Sequence, residues 1–265
     1  LPGGGVLPAS AAPPNSGAGL VTVHAPVAGP SGLALKVSSK TVIEFPGGGV
    51  FNVSDRGGFT VQTWFRTSAA VSELAALVSK GTLNGRAVRT NSGQWALQWT
   101  PSGGLGFHYQ MLCDTSSPGV FSANSGASYA DGAWHHVVGT WDGMNAAVYV
   151  DGELKGGSPA SPCPSVDPCP FTICVYDPNP QTQTMQVKIG RDLDNSPTSM
   201  FVGELDDLAT FAAALTPEEI RGDFGIGGGR ANTQHPAFGV RYGFDTPGTN
   251  IPPSDYAKFD VNLES

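Results

Sequence analysis

The stretch Asp131-Gly132-Ala133-Trp134-His135-His136-Val137-Val138-Gly139-Thr140-Trp141-Asp142-Gly143 decides the fold of this chain. Its central run, 135–141, favours a β-strand. Asp142-Gly143 then favours a tight turn, because glycine tolerates a positive φ. A second apolar run, 146–150, ends in Asp151-Gly152, which is a turn signal of the same kind. Two successive strand and turn units predict consecutive antiparallel hairpins.

Short strands are predicted on both sides of this stretch. The run 59–66 alternates with period two, which places its odd-numbered residues on one face. Further strand candidates lie at 20–23, 33–37, 41–45, 75–79, 95–100, 105–112, 186–189, 203–211 and 238–244. Many short strands separated by turns containing Gly, Asn or Asp indicate a sandwich or jelly roll, not βαβ units.

One helix is predicted, at 216–222. Thr216 suits the N-cap position, Pro217 suits the first helical position, and Glu219 completes a capping box. Gly222 and Gly225 follow soon after, so the helix is expected to have one or two turns.

Composition limits the possible partners. Only 14% of residues are charged and the formal net charge is −8, with no basic run, which argues against nucleic-acid binding. No apolar run is long enough to cross a bilayer, so membrane insertion is not expected. The 36 glycines and 22 prolines suit a chain of short strands joined by turns.

Four cysteines indicate an oxidising compartment. Their even number in a charge-poor, Gly- and Pro-rich chain favours two disulfides and a secreted, extracellular or cell-surface protein. Three pairings are open; a short bridge inside 163–174 and a bridge from that segment to Cys113 are favoured. The paired C-x-x-C spacing of a zinc site is absent. The cysteines are Cys113, Cys163, Cys169 and Cys174.

Asn52-Val53-Ser54 is an N-glycosylation sequon, so a glycan is expected on Asn52.

The predicted organisation has three parts: a Pro-, Gly- and Ala-rich arm or linker at 1–19, a jelly-roll domain at 20–230 with a Cys-rich loop at 157–182, and an extension at 231–265. The extension is either the closing strand of this sandwich or the start of a following module. Because the chain starts with Leu1, we interpret it as a piece of something longer.

Taken in order, these motifs resemble the laminin G-like (concanavalin A-like) jelly-roll family over residues 20–225. The resemblance rests on 59–64, 131–143, 148–152, 187–191, 201–208 and 214–220. It implies an all-β fold, a two-sheet antiparallel jelly-roll sandwich with one short helix. It does not select a function, because lectins, adhesion modules and enzymes share this fold.

Three functions are compatible with the resemblance. The first is a non-catalytic binding or adhesion module for a glycan or glycoprotein. The second is a structural repeat of an extracellular wall or filament assembly, such as a ciliary or flagellar surface filament, whose partners are neighbouring modules. The third is a laminarinase-like glycoside hydrolase, which needs two carboxylates about 5 Å apart. Glu204 and Asp206 supply only the first part of that motif, so no enzyme activity is expected.

Alternation separates core residues from candidate ligand-binding residues. Trp95, Leu97 and Trp99 share one face of a predicted strand, which is typical of a core. The opposite faces are expected to line a glycan groove, although ordinary solvent-facing residues would give the same pattern. The candidates are Gln98, His108, Gln110, His136 and Tyr149.

Calcium is the one cofactor that the resemblance suggests, since laminin G-like relatives often hold one ion at a loop rim. Calcium prefers several carboxylate, amide and carbonyl oxygens. Asp192, Asp194 and Asn195, with Asp206 nearby in sequence, are the candidate ligands. Their alternative role is turn formation, which Asp and Asn also favour.

Overall fold

The computed structural model describes residues 6–7, 21–22, 27–29, 32–38, 43–45, 58–71, 74–80, 94–111, 119–143, 145–158, 187–191, 200–225, 231 and 234–242. These ranges contain sixteen β-strands and one α-helix. The strands are β1 (Val6–Leu7), β2 (Val21–Thr22), β3 (Val27–Gly29), β4 (Gly32–Val37), β5 (Ile43–Phe45), β6 (Phe59–Arg66), β7 (Ala75–Lys80), β8 (Gln94–Trp99), β9 (Leu105–Met111), β10 (Gly119–Asn124), β11 (Trp134–Trp141), β12 (Ala146–Val150), β13 (Glu153–Ser158), β14 (Val187–Ile189), β15 (Gly203–Phe211) and β16 (Phe238–Tyr242). The helix, α1, is Pro217–Gly225.

Fourteen of the strands form two large antiparallel sheets, and β1 and β2 pair with each other in a separate two-stranded sheet. The six-stranded sheet has the order β10-β9-β8-β7-β14-β5. The eight-stranded sheet has the order β13-β12-β11-β6-β15-β4-β3, with β16 also paired to β15. The predicted two-sheet antiparallel jelly-roll sandwich with one short helix is therefore confirmed.

The two turns predicted from Asp-Gly pairs join β11, β12 and β13. Gly143 has a φ of 95°, and Asp151 and Gly152 have φ values of 53° and 77°. The left-handed conformation at these positions matches the twist of the flanking strands. Strands β11 and β12 pair directly, with Trp141 opposite Ala146.

The inner faces of the two sheets share one aromatic core. Phe65, Trp95, Phe107 and Trp141 are all fully buried there. Gly139 of β11 lies against the opposite sheet, because a Cβ atom at this position would be 2.2 Å from Phe107 Cδ2. Burying each large side chain stabilises the fold by roughly 1.5–3 kcal/mol.

The sheets also meet along one side, where β13 lies against β10. A Cβ atom on Gly156 would be 2.0 Å from the carbonyl oxygen of Asn124 and 3.1 Å from its amide nitrogen. The backbones of these two edge strands therefore touch, and only glycine permits this approach. We call this contact the seam.

A second, smaller core lies on the outer face of the eight-stranded sheet, beneath α1. Ile220 of the helix packs there with Val138 and Phe211, and all three are fully buried. Phe211 also pairs with Phe238 at the start of β16. This layer joins the helix and the described part of the 231–265 segment to the sandwich.

The capping box that starts α1 forms as predicted. The amide of Thr216 donates to Glu219 Oε2 at 2.7 Å, and the amide of Glu219 donates to Thr216 Oγ1 at 3.3 Å. The helix ends at Gly225, three residues later than predicted. In the described ranges, no helix has the length and apolar character needed to cross a bilayer.

Candidate functional site

Three neighbouring strands of the six-stranded sheet place polar residues side by side. His108 of β9 lies opposite Ser122 of β10, and Gly106 lies between Gln98 of β8 and Asn124 of β10. Directly opposed residues in paired strands project to the same face. The alternate residues of these strands, such as Leu97 and Phe107, fill the core, so this face points outward. We call Gln98, His108, Ser122 and Asn124 the polar strip.

Small residues form the floor of the polar strip. A Cβ atom on Gly106 would lie 2.9 Å from Asn124 Oδ1 and 3.7 Å from Gln98 Oε1. The oxygens of both amide side chains therefore border the space above this glycine. In the neighbouring strands, Ala76 lies opposite Gln98 and Ala96 lies opposite His108, and both alanines are buried. A larger side chain at any of these positions would occupy space beside the polar atoms.

Two polar atoms of the strip are buried without a hydrogen bond. Within the described part of the chain, neither Gln98 Nε2 nor His108 Nε2 has a partner. The other ring nitrogen of His108, Nδ1, is 3.2 Å from Ser122 Oγ. Leaving one such group unsatisfied costs about 1–3 kcal/mol. Ser122 and Asn124 are exposed at the edge of the strip, so a ligand can reach its border.

The polar strip is electrically neutral at ordinary pH. Burial lowers the pKa of His108 to about 4, so its imidazole has one donor and one acceptor nitrogen. Gln98 and Asn124 each offer both a donor and an acceptor, and Ser122 offers a hydroxyl. Such a set can bind alternating donors and acceptors, which is the chemistry of a polyhydroxylated ligand.

His136 and Tyr149, two further predicted ligand-binding residues, do not belong to this strip. His136 lies on the outer face of the eight-stranded sheet, 5.2 Å from the Trp64 ring and 6.3 Å from the Phe224 ring of α1. Neither of its ring nitrogens has a hydrogen-bond partner among the described residues, and burial lowers its pKa to about 3. Tyr149 is buried in the second core, and burial raises the pKa of its hydroxyl.

Gln110, the remaining candidate, lies in β9 opposite Gln94 and Val120. Its side chain is outside the described part of the structure.

Sequence reasoning missed Ser122 and Asn124, because β10 was not predicted as a strand. The alternation of Val120 to Asn124 and the glycine inside β9 are the signals that were present.

The acidic run of β15 does not supply the pair of carboxylates that a retaining glycosidase uses. Glu204 forms an ion pair with Arg66 Nε, and Asp206 is fully buried. A bulge follows, with Asp207 at a φ of 49°. The bulge places Ala209 opposite Gln62. Ala209 is thus the first paired position after the bulge, and its side chain has no carboxylate.

The metal and cysteine predictions fall mostly outside the described residues. Those outside are Cys113, Cys163, Cys169, Cys174, Asn52, Asp192, Asp194 and Asn195. Within the described part, no three His, Cys, Asp or Glu side chains converge to hold a metal ion. Of the calcium candidates only Asp206 is described, and its backbone carbonyl accepts a hydrogen bond from Thr63 Oγ1 at 2.9 Å. The calcium site, the disulfides and the Asn52 glycan stay predictions.

A family model described as the concanavalin A-like lectin/glucanases superfamily matches residues 38–221. No curated protein matches the chain in sequence.

Three solved structures illustrate the shared fold. A candidate carbohydrate-binding protein from Bacteroides ovatus has a TM-score of 0.54 and 15% identity, over 86% of this chain and 57% of that one. The binding domain of Paraclostridial Mosquitocidal Protein 1 has a TM-score of 0.53 and 14% identity, over 77% and 47%. Domain 4 of AbnA, an extracellular arabinanase from Geobacillus stearothermophilus, in complex with arabinotriose, has a TM-score of 0.50 and 16% identity, over 75% and 79%. The chain thus spans about half the length of the first two.

Proposed function

Because this chain belongs to the concanavalin A-like lectin/glucanase superfamily, we propose that it is an extracellular, non-catalytic module that binds a glycan through the polar strip. The glycan is either free or part of a glycoprotein. One observation carries the proposal: Gln98 Nε2 and His108 Nε2 are buried, and no described residue bonds them, while Ser122 and Asn124 flank them at the surface.

Sugar hydroxyls suit this arrangement because each can donate and accept a hydrogen bond. A neutral imidazole, two carboxamides and a hydroxyl provide both roles without charge. The AbnA domain, whose structure contains arabinotriose, shares the fold, which supports a glycan as the class of ligand. A site that satisfies two buried groups on binding also gains specificity, since a ligand lacking the matching hydroxyls leaves them unpaired.

The absence of catalysis is supported by β15. Arg66 holds Glu204 in an ion pair, and Ala209 has no carboxyl group. Retaining hydrolysis needs a nucleophile and an acid about 5 Å apart. Release of sugar from β-glucans that disappears in a Glu204→Gln variant would contradict this part of the proposal.

A glycan array run with and without calcium tests the proposal. We expect saturable binding to at least one neutral glycan, and a loss of about tenfold or more in affinity for Gln98→Ala and Asn124→Ala. Glu153→Ala, an exposed change on the other sheet, is the matched control and should bind like the unchanged chain. Calcium dependence would support the predicted metal site. Silence across the array would instead favour the structural, filament-forming role.

A further inference from the structure

His135 lies between two carboxylates from different parts of the chain. Its Nδ1 is 2.8 Å from Asp151 Oδ2, in the turn between β12 and β13, and its Nε2 is 3.1 Å from Asp131 Oδ1. Asp131 belongs to residues 125–133, the connection between β10 and β11, which we call the rim loop. The imidazole therefore joins the rim loop to the turn.

The chemistry of this contact depends on the protonation of His135. Both carboxylate oxygens are acceptors, so both ring nitrogens must carry a proton to bond them. A neutral imidazole has one N–H group, and its other nitrogen would direct a lone pair at a carboxylate. Only the imidazolium satisfies Asp131 and Asp151 together.

The surroundings of His135 are consistent with a charged ring. Burial by itself lowers its pKa, but the hydrogen bonds to Asp151 and Asp131, with their charges, outweigh burial and raise the pKa above its ordinary value. The neighbouring rings are Phe65, at 5.7 Å, and Tyr129, edge-on at 5.1 Å.

Among the described residues, the titratable and charged groups near His135 come from the rim loop, the turn and strand β13. The rim loop contributes Asp131 and the hydroxyl of Tyr129, and the turn contributes Asp151. Strand β6 contributes the uncharged Phe65 ring. Strand β13 contributes Glu153 and Lys155, which pair with each other at 2.6 Å. Their charges shift the pKa of the Tyr129 hydroxyl in opposite directions. The two carboxylates are therefore the charges that His135 contacts.

The rim loop is also tied to the strands that carry the polar strip. The amide of Tyr129 donates to the Gly103 carbonyl at 2.7 Å, and Ser125 Oγ accepts from the Leu105 amide at 2.9 Å. Both partners belong to the β8–β9 hairpin. The rim loop therefore links the six-stranded sheet to His135, which lies in the eight-stranded sheet.

We propose that His135 is a proton-dependent clamp: as an imidazolium it holds the rim loop against the β12–β13 turn, and on losing a proton it releases the loop at Asp131. Asp131 is the end that opens, because its contact is the longer of the two and its side chain is 59% exposed, against 32% for Asp151. The clamp can be tested without a ligand, so it does not depend on the proposed function.

The direction of the pH effect follows from the raised pKa. The stabilisation is fully present below the ordinary histidine pKa of about 6.5 and is lost as the pH rises through the raised value. The clamp is therefore closed below about pH 6.5 and opens as the pH rises through the raised pKa of His135.

Two isosteric variants separate this mechanism from a merely structural contact. In Asp151→Asn, the oxygen can still accept from the His136 amide, as Asp151 Oδ1 does at 2.9 Å, while the new amide nitrogen donates to Nδ1 of a neutral ring. In Asp131, one atom, Oδ1, accepts from both the Ala133 amide and His135 Nε2. Asp131→Asn therefore cannot serve both partners when the ring is neutral. Asparagine also tolerates the positive φ of position 151.

The test is NMR of the whole chain between about pH 5 and about pH 9, a range that brackets the ordinary histidine pKa. It follows the imidazole nitrogens of His135 and the hydrogen exchange of the Tyr129 and Gly132 amides. We expect both ring nitrogens to be protonated at the acid end, and amide exchange corrected for intrinsic rates to rise at least about fivefold as His135 titrates. Asp151→Asn should abolish that rise, and Asp131→Asn should keep a pH dependence with a lower midpoint. A neutral tautomer at the acid end, or an equal rise in Asp151→Asn, would overturn the clamp.

Discussion

The two outer faces of the sandwich differ in what covers them. The eight-stranded sheet carries large apolar residues on its outer face, and Ile220 of α1 packs on Val138 and Phe211. On the six-stranded sheet the outer face includes alanine, glycine and the polar strip, with Ala76 and Ala96 in the floor, and Ser79 and Lys188 in the row beyond Ala96. Both faces come from strands whose alternate residues fill the same core.

The difference shows that the two outer faces of one fold can have different roles. The core between the sheets is shared, so neither outer face is needed to complete it. One outer face adds stability by burying apolar area under a helix. Both outer faces hold buried polar atoms that no described residue bonds, at His136 on the helix side and at Gln98 and His108 on the strip. Those on the strip lie beside the exposed Ser122 and Asn124, whereas His136 lies against Phe224 of the helix. Changes on the helix side should therefore affect unfolding, and changes on the strip should affect binding.

The largest effect is expected for Phe211→Ala. Phe211 is fully buried between the sheet, His235 and Phe238, and removing such a ring costs about 3–5 kcal/mol through lost burial and a cavity. Urea unfolding followed by fluorescence measures the loss. Leu154→Ala, an exposed position, is the control and should change the free energy of unfolding by less than about 0.5 kcal/mol. Equal losses in the two variants would remove the distinction between the faces.

Acid should weaken the helix side next. The pKa of His136 is lowered by burial to about 3, below its unfolded value, so its stabilisation is present above about pH 6.5 and is lost as the pH falls. We expect His136 to contribute a loss of about 2–3 kcal/mol between about pH 6.5 and about pH 4.5. His108, whose pKa burial lowers to about 4, adds a loss of about 2 kcal/mol over the same interval. His136→Phe keeps a ring between Trp64 and Phe224 and removes the proton acceptor, so its stability should vary less with pH in this interval. An unchanged slope in that variant would place the acid sensitivity elsewhere, with His108 the next group to test.

A smaller effect is expected at the start of α1. Thr216→Ala removes the capping hydroxyl that accepts from the Glu219 amide, at a cost of about 1 kcal/mol. Thermal unfolding measures it, and Thr216→Ser, which keeps the hydroxyl, is the matched control. A melting temperature that falls equally in both variants would contradict a capping role.

The smallest effect on stability, and the sharpest on binding, is expected for Gly106→Ala. The added methyl group meets the ends of two flexible side chains, Asn124 and Gln98, so the free energy of unfolding should change by less than about 1 kcal/mol. Glycan affinity should nevertheless fall about tenfold, because the methyl group occupies the floor of the strip. Full affinity in a folded Gly106→Ala protein would show that the ligand binds elsewhere than on this face.

Local signals explain why much of the fold could be predicted. The Asp142-Gly143 and Asp151-Gly152 turns and the Thr216 capping box each depend on residues a few positions apart. Alternation likewise assigns Trp95 and Gln98 to opposite faces of β8, since period two is a property of one strand.

The candidate site was predicted only in part, because it depends on strand register and on which sheet face is covered by residues distant in sequence. Asn124 meets Gln98 only across Gly106, through pairings of three strands that no single segment encodes. His136 was grouped with Gln98 and His108, yet it lies under Phe224, which is 88 positions later in the chain. Sequence alternation gives the two faces of a strand, but not which face another element will cover.

The seam between Gly156 and Asn124 has a consequence for how molecules of this protein meet one another. An exposed strand edge is a template on which a strand from another molecule can add, and such growth leads to aggregates. Here the two edge strands β10 and β13 block each other, since their backbones already touch. A foreign strand has no room at that point of either edge, so this side of the sandwich is protected against templated growth at high concentration.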